Sequence, residues 1–298
     1  MAAKILVSGV SGPIGAMLLP ALAARGDEVT RLVRGQAVGP NQVCWHPTQP
    51  LSPQAVSGFD AVIHLAGESI VGRWTAARKK SIRDSRVLGT QHLAQALSKA
   101  GHPPRVFVCA SAVGYYGNRC DELLREESPS GTGFLADVCR EWEAAAQAAA
   151  AAGIRIVQVR IGLVLSGSGG ALQSMLPAFR VGLGGRIGSG QQWWSWIDVQ
   201  DLVSATLHIM KTESLHGPVN LVAPNPVRNA EFTKTLASVL SRPAVFPMPA
   251  FMARLAFGQM GDELLLASQR VEAAKLVASG YDFQRPTLEP SLRAILKR

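Results

Sequence analysis

Three sets of residues have types and spacing suited to chemistry. The first is the turn Gly9-Val10-Ser11-Gly12-Pro13-Ile14-Gly15, followed by Arg34 at the end of the next apolar stretch. A pyrophosphate settles on free backbone N–H groups at a helix N-terminus, and any Cβ in the turn would hold the backbone away from it. NAD-binding chains carry an acid about 20 residues beyond such a turn to hold the ribose 2′-hydroxyl. This chain has Arg34 there instead, with Arg31 upstream, and Asp27 and Glu28 lie at the wrong end of the strand. A planar, permanently charged donor fork suits a 2′-phosphate, so the pattern predicts NADP(H); the alternative is an exposed arginine at a strand end. The second set is Ser111 with Tyr115 and Tyr116. Here a hydroxyl would polarise a substrate oxygen, and one of two phenols would pass a proton, unless the tyrosines are packing residues. The third set is Glu68, Trp193, Trp194 and Asp198, carboxylates and indoles that would meet a small polar substrate. Core packing of the tryptophans and a solvated Glu68 are the bland alternatives.

The elements that must position these residues follow from periodicity. Ile5-Leu6-Val7 is a short buried strand, and Ile14, Met17, Leu18, Ala21 and Leu22 recur on one face of a helix that Gly26 closes. Val29 to Val33 starts a second strand, completing the βαβ unit of a dinucleotide site. Gly35 to Gly58 reads as a loop-rich crossover with a brief strand at Val43 to Trp45. Strands follow at 60–67, 106–109 and 154–159, the last continuing through Ile161 to Leu165, with one more at 219–222. Between them lie a helix from Thr75 to about Ala100, stopped by Pro103-Pro104, and an Ala-rich helix from Phe134 to Ala152. Such alternation implies a doubly wound parallel α/β sheet of the Rossmann type.

Composition narrows the class. Of 298 residues, 47% are hydrophobic and only 17% charged, which excludes a disordered chain. No apolar run reaches 18 residues, and the start leads straight into the first strand, so a soluble cytoplasmic protein is expected. Cys44, Cys109, Cys120 and Cys139 form no C-x-x-C pair and have no histidine at ligand spacing, so neither a zinc site nor a disulfide framework is expected. Part of the +9 net charge is concentrated in Arg73, Arg78, Lys79, Lys80, Arg83 and Arg86, opposed by Asp84 alone. No nucleic-acid motif accompanies that cluster; a solvated helix face or an anionic ligand near its C-terminal end are the two readings.

Together, His64-Leu65-Ala66-Gly67-Glu68, Arg73-Trp74-Thr75, Asp84-Ser85-Arg86, Ser111 to Gly117, Phe179 to Gly185 and Trp196-Ile197-Asp198 resemble the extended short-chain dehydrogenase/reductase superfamily. The resemblance is narrower still to its "epimerase family" branch, whose members carry their own C-terminal domain, and it runs almost the full length. It implies a cofactor site formed by Gly9 to Gly15 and Arg34, with Leu65, Ala66 and Gly67 on the adenosine side and Arg86 and Arg160 nearby. It favours a homodimer and a small-molecule substrate, with a nucleotide sugar among the candidates.

One departure is sharp. Such enzymes use Tyr-x-x-x-Lys, in which the lysine one helical turn on lowers the phenol's pKa. No lysine occurs between Lys99 and Lys211, and the two positions fall on Leu135 and Cys139, with Glu143 next along. Arg119 or Arg160 would have to activate a phenol instead. The expectation is a Rossmann domain over 1–165, its sheet completed by about 195–224, and a small, mostly helical substrate cap from 166–194 and 225–298. Its function would be that of an NADP(H)-dependent oxidoreductase or epimerase with an atypical active site; the alternative is an NADP(H)-binding sensor or scaffold with little turnover.

Overall fold

A computed structural model describes residues 2–36 and 39–297; positions 37–38 of the expected crossover, with Met1 and Arg298, lie outside the described residues. Strands β1 (Lys4–Ser8), β2 (Glu28–Val33), β3 (Gln42–Cys44), β4 (Ala61–His64) and β5 (Val106–Ala112) join the strands Arg155–Ile161 and Gly217–Leu221 in one seven-stranded sheet. The order is Gly217–Leu221, Arg155–Ile161, β5, β4, β1, β2, β3, and every pairing is parallel. A parallel sheet must be covered on both faces. Ile5 and Val7 pack on one side with Leu18 and Leu22 of α1 (Pro13–Ala24); Leu6, Val62 and Phe107 pack on the other with Leu93 and Leu97 of α2 (Ala76–Ser98).

The Ala-rich segment departs from the single expected helix. It divides into α3 (Phe134–Ala144) and α4 (Gln147–Ala151). At the join, the Ala146 amide bonds to the Glu143 carbonyl, a tighter turn that seats Ala146 and Ala149 in the core. The strand expected to run on to Leu165 also stops, at Ile161, and Leu163–Leu165 pairs with Trp196–Asp198 instead. Helices α5 (Gly170–Arg180), α6 (Val199–Lys211), α7 (Asn229–Leu240) and α8 (Ala250–Phe257) come next, then α9 (Ala274–Ala278) and α10 (Leu288–Leu296). A further apolar cluster of α5, α7 and α10 encloses Trp194 and Trp196.

The basic face of α2 turns out to be a docking face. Lys79 lies over the Phe134 ring, Arg83 pairs with Glu141 at 2.5 Å and Arg86 lies over Trp142, all on α3. Three of its cations thus lie against an adjoining helix, whereas Lys80 pairs with Asp84 and Arg78 with Glu68.

His64 closes β4 wholly buried, sharing a 2.6 Å hydrogen bond with Ser8 Oγ. Burial disfavours its charged form and lowers its pKa to about 4. The unfolded chain takes up this proton below about pH 6.5, whereas the folded chain refuses it down to about 4. Stability conferred by His64 is therefore complete above that window and falls across it by roughly 3 kcal/mol. Urea unfolding of the protein and of His64→Asn between pH 7 and 4.5 checks this: the difference between them should shrink as the pH falls.

Candidate cofactor and active site

At the end of β1, Gly9 takes φ +73°, and a Cβ there would stand 2.5 Å from the Leu65 carbonyl carbon. The turn after β1 therefore lies directly on the chain leaving β4. A Cβ on Gly15 would fall 2.4 Å from Val10 Cα, so the first turn of α1 lies equally close to the loop. Gly12 caps that helix with no side chain bonded to its amides, Pro13 follows, and no acid occupies the first turn. Ser11 is exposed, and Gly12, Pro13 and Ile14 are half-buried. A bare, positively polarised helix end behind a close-packed glycine loop fits a pyrophosphate.

Beside it, Leu65 and Ala66 are half-buried and Gly67 is exposed. Arg86 lies beneath Gly67, its Nη1 donating to the carbonyls of Glu68 and Ile82 at 2.9 and 3.1 Å; burial lowers its pKa. Arg34 stands two-thirds exposed, 3.8 Å from Glu68 Oε2, and Arg78 Nη1 donates to Glu68 Oε1 at 3.2 Å. Glu68, expected at the substrate, is thus tied to Arg34 and Arg78.

The expected catalytic set is drawn into the interior. Ser111 is 2% exposed, and its hydroxyl donates to Glu143 Oε1 at 2.7 Å. Glu143 also accepts from Arg160 Nε and Nη2 at 2.8 and 2.9 Å, a bidentate pair. Arg160 Nη1 donates to the Tyr116 hydroxyl and to the Glu126 carbonyl. Burial works against the Arg160 charge, but Glu143 and Tyr116 outweigh it and raise its pKa. Tyr116 is fully buried and donates to Asn220 Oδ1 at 2.7 Å; burial pushes its pKa up to about 12. Ser111, Tyr116 and Arg160, expected as oxygen polariser, proton carrier and cofactor contact, are thus joined in one enclosed polar knot. Glu143 organises it, and only the fold brings it within reach of residues 17 and 32 positions away. Arg119, the other expected activator, is bound by Glu122 through two hydrogen bonds.

Tyr115 alone of the three stays half-buried, its ring 3.6 Å from the Arg160 Cζ. Leu135 and Cys139 are buried on α3, with Leu135 close under Gly114. Over Leu135 lies a cavity of about 260 Å³, walled by Asn118 and Thr132 on one side and Arg254, Glu263 and Gln269 on the other. Glu263 accepts from the Phe134 and Leu135 amides at 3.0 and 2.8 Å, so a carboxylate from the C-terminal region caps α3.

The tryptophans separate. Trp193 is half-buried beside that wall, donating to Asp121 Oδ1 and flanked by the guanidiniums of Arg228 and Arg270 at 4.6 and 4.8 Å. Trp194 packs edge-on against Phe232 inside the C-terminal cluster. Asp198 is fully buried, capping α6 through the Gln200 amide and held by Arg285 and Ser291. Of these two expected substrate contacts, Trp194 completes an apolar core and Asp198 a helix end.

Known proteins match over the whole fold. Residues 5–222 match the NAD dependent epimerase/dehydratase family, and 248–295 match a domain of unknown function, DUF1731. The chain is 41% identical to Epimerase family protein MT2273 of Mycobacterium tuberculosis, covering 97% of this chain and 96% of that protein. It is also similar to the crystal structure of human epimerase family protein SDR39U1 with NADPH, at a TM-score of 0.90 and 36% identity over 99% of each chain. The nucleoside-diphosphate sugar epimerase of Corynebacterium glutamicum superposes at a TM-score of 0.82 and 36% identity, over 99% of this chain and 58% of that one. Among the described residues no helix is long and apolar enough to cross a membrane.

Proposed function

Because the chain belongs to the NAD-dependent epimerase/dehydratase family of extended short-chain dehydrogenases/reductases, we propose that it is an NADP(H)-dependent oxidoreductase or epimerase-like enzyme acting on a small polar substrate. The observation that carries this reading is the uncapped α1 terminus behind Gly9, with Arg34 rather than an acid after β2. The similar human structure was crystallised with NADPH, and the C. glutamicum relative is named for nucleoside-diphosphate sugars. Gly9, Ser11, Gly12, Pro13, Ile14 and Gly15 would hold the pyrophosphate, Leu65, Ala66 and Gly67 the adenosine, and Arg34 the 2′-phosphate, with Arg86 supporting that loop. Bound, the cofactor supplies a hydride donor or acceptor. The cavity over Leu135, with Trp193 beside Gln269 at its edge, receives the substrate, and Tyr115, its ring lying on the Arg160 guanidinium, handles the proton. The protein would work in the cytoplasm as a homodimer, which sedimentation of the purified chain checks.

Tyr115→Phe should lower substrate-dependent NADPH consumption about 100-fold, the contribution of one proton-transfer group. Tyr116→Phe should leave turnover within a few-fold and remove about 1 kcal/mol of stability through Asn220. Equal losses of turnover in both variants would reject the assignment. A second reading is favoured by the enclosure of Ser111 and Tyr116: a cofactor-binding sensor or scaffold. It predicts NADPH binding with no consumption across a panel of carbonyl compounds and nucleotide sugars.

A further inference from the structure

Glu68 carries one charge between two guanidiniums from separate segments. Arg34 follows β2, Glu68 follows β4, and those strands flank β1, so their ion pair reaches across the strand that ends at Gly9. Arg78 comes from the first turn of α2, where its amide donates to the Thr75 side chain. Besides Glu68 it holds the Ser69 carbonyl at 2.5 Å.

The Glu68 backbone is fixed independently: its amide donates to Ser85 Oγ at 3.1 Å, and its carbonyl accepts from Arg86 at 2.9 Å. The carboxylate is therefore presented from a rigid loop. The two contacts differ in kind. At 3.2 Å Arg78 makes a hydrogen-bonded pair, whereas 3.8 Å to Arg34 is an ion pair without a hydrogen bond. All three side chains remain open to solvent, Arg34 at 67% and the others at 31%. Two cations against one anion leave a residual positive charge at the place a phosphomonoester would enter.

Resting on the NADP(H) reading above, we infer that Arg78 is a second guanidinium of the 2′-phosphate clasp, and that Glu68 is an internal counter-anion holding Arg34 and Arg78 together until the phosphate arrives. A phosphomonoester carries up to two charges and three acceptor oxygens, enough to engage both arginines. Glu68 then lies beside a like charge. It keeps the clasp assembled and at the same time limits how tightly the phosphate is held. Arg78 raises the preference for the phosphorylated cofactor, and Glu68 restrains it.

Calorimetric titration of the full chain with NADPH and, separately, NADH tests this. Arg78→Met should weaken NADPH about tenfold, the loss of one partly screened charge-assisted contact, and leave NADH within twofold. Glu68→Gln keeps the shape of the loop and should tighten NADPH about threefold without tightening NADH. An unchanged NADPH-to-NADH ratio in Arg78→Met, equal weakening of both nucleotides, or weaker NADPH binding in Glu68→Gln would overturn the inference and leave the cofactor reading standing. A wild-type chain that takes up neither nucleotide removes both.

Discussion

Arg160→Met should lower the unfolding free energy by about 3–5 kcal/mol, the cost of stranding a buried charge. Only 3% of the Arg160 side chain and 13% of the Glu143 side chain are exposed, and the two form a bidentate pair. Without the guanidinium, Glu143 keeps Ser111 as a hydrogen-bond donor but loses its counter-charge. The Tyr116 hydroxyl and the Glu126 carbonyl lose a donor, and the Tyr115 ring loses the cation lying on it. Replacing both ends, Arg160→Met with Glu143→Leu, should restore most of that loss, because a well-filled apolar site replaces an ion pair that was itself costly to bury. Urea unfolding of the two single variants and the double variant measures the coupling. Additive losses would mean that Arg160 acts through packing alone.

Gly9→Ala should abolish measurable NADPH binding and cost about 2–4 kcal/mol of stability, since it adds a backbone overlap to a strained φ. The new methyl would stand 2.5 Å from the Leu65 carbonyl carbon and 2.7 Å from the Ala66 amide. Neither atom is the free end of a side chain, so the turn after β1 and the loop after β4 must part. Those are the two segments between which the adenosine half of the nucleotide would lie. Gly12→Ala is the control, because its Cβ meets nothing nearer than 3.6 Å and its φ is −82°. It should fold like the parent and lose affinity only as far as a methyl crowds the pyrophosphate. Thermal melts and calorimetry separate the two effects; normal NADPH affinity in Gly9→Ala would show that the close approach is dispensable.

Most of the sheet was legible because its strands are apolar on both faces and bounded by breakers, Ser8-Gly9 after Ile5-Leu6-Val7 and Pro103-Pro104 before Val106 to Cys109. The glycine turn was legible because spacing, the helix behind it and Arg34 are all local. The surroundings of the catalytic candidates were not. Ser111 and Tyr116 have the types and placement of working groups, yet each meets a partner far along the chain, Glu143 and Asn220, that no periodicity connects to it. The same holds for Asp198, where a helix cap and an active-site acid are the same residue type in the same strand-to-helix setting. Nor does the basic run in α2 reveal which of its cations dock on protein: Phe134, Glu141 and Trp142, which meet Lys79, Arg83 and Arg86, belong to a helix more than fifty positions away.

The capping of α3 by Glu263 bears on how such chains diversify. The helix that would carry the usual proton-transfer pair begins at amides satisfied by a side chain from the region that walls the cavity. Exchanging that region for one from a relative would do more than replace a specificity module: a donor segment lacking an acid in register would leave the recipient's own helix to fray. The cavity wall and the start of α3 are thus coupled through one carboxylate, so a change in the first is felt by the second.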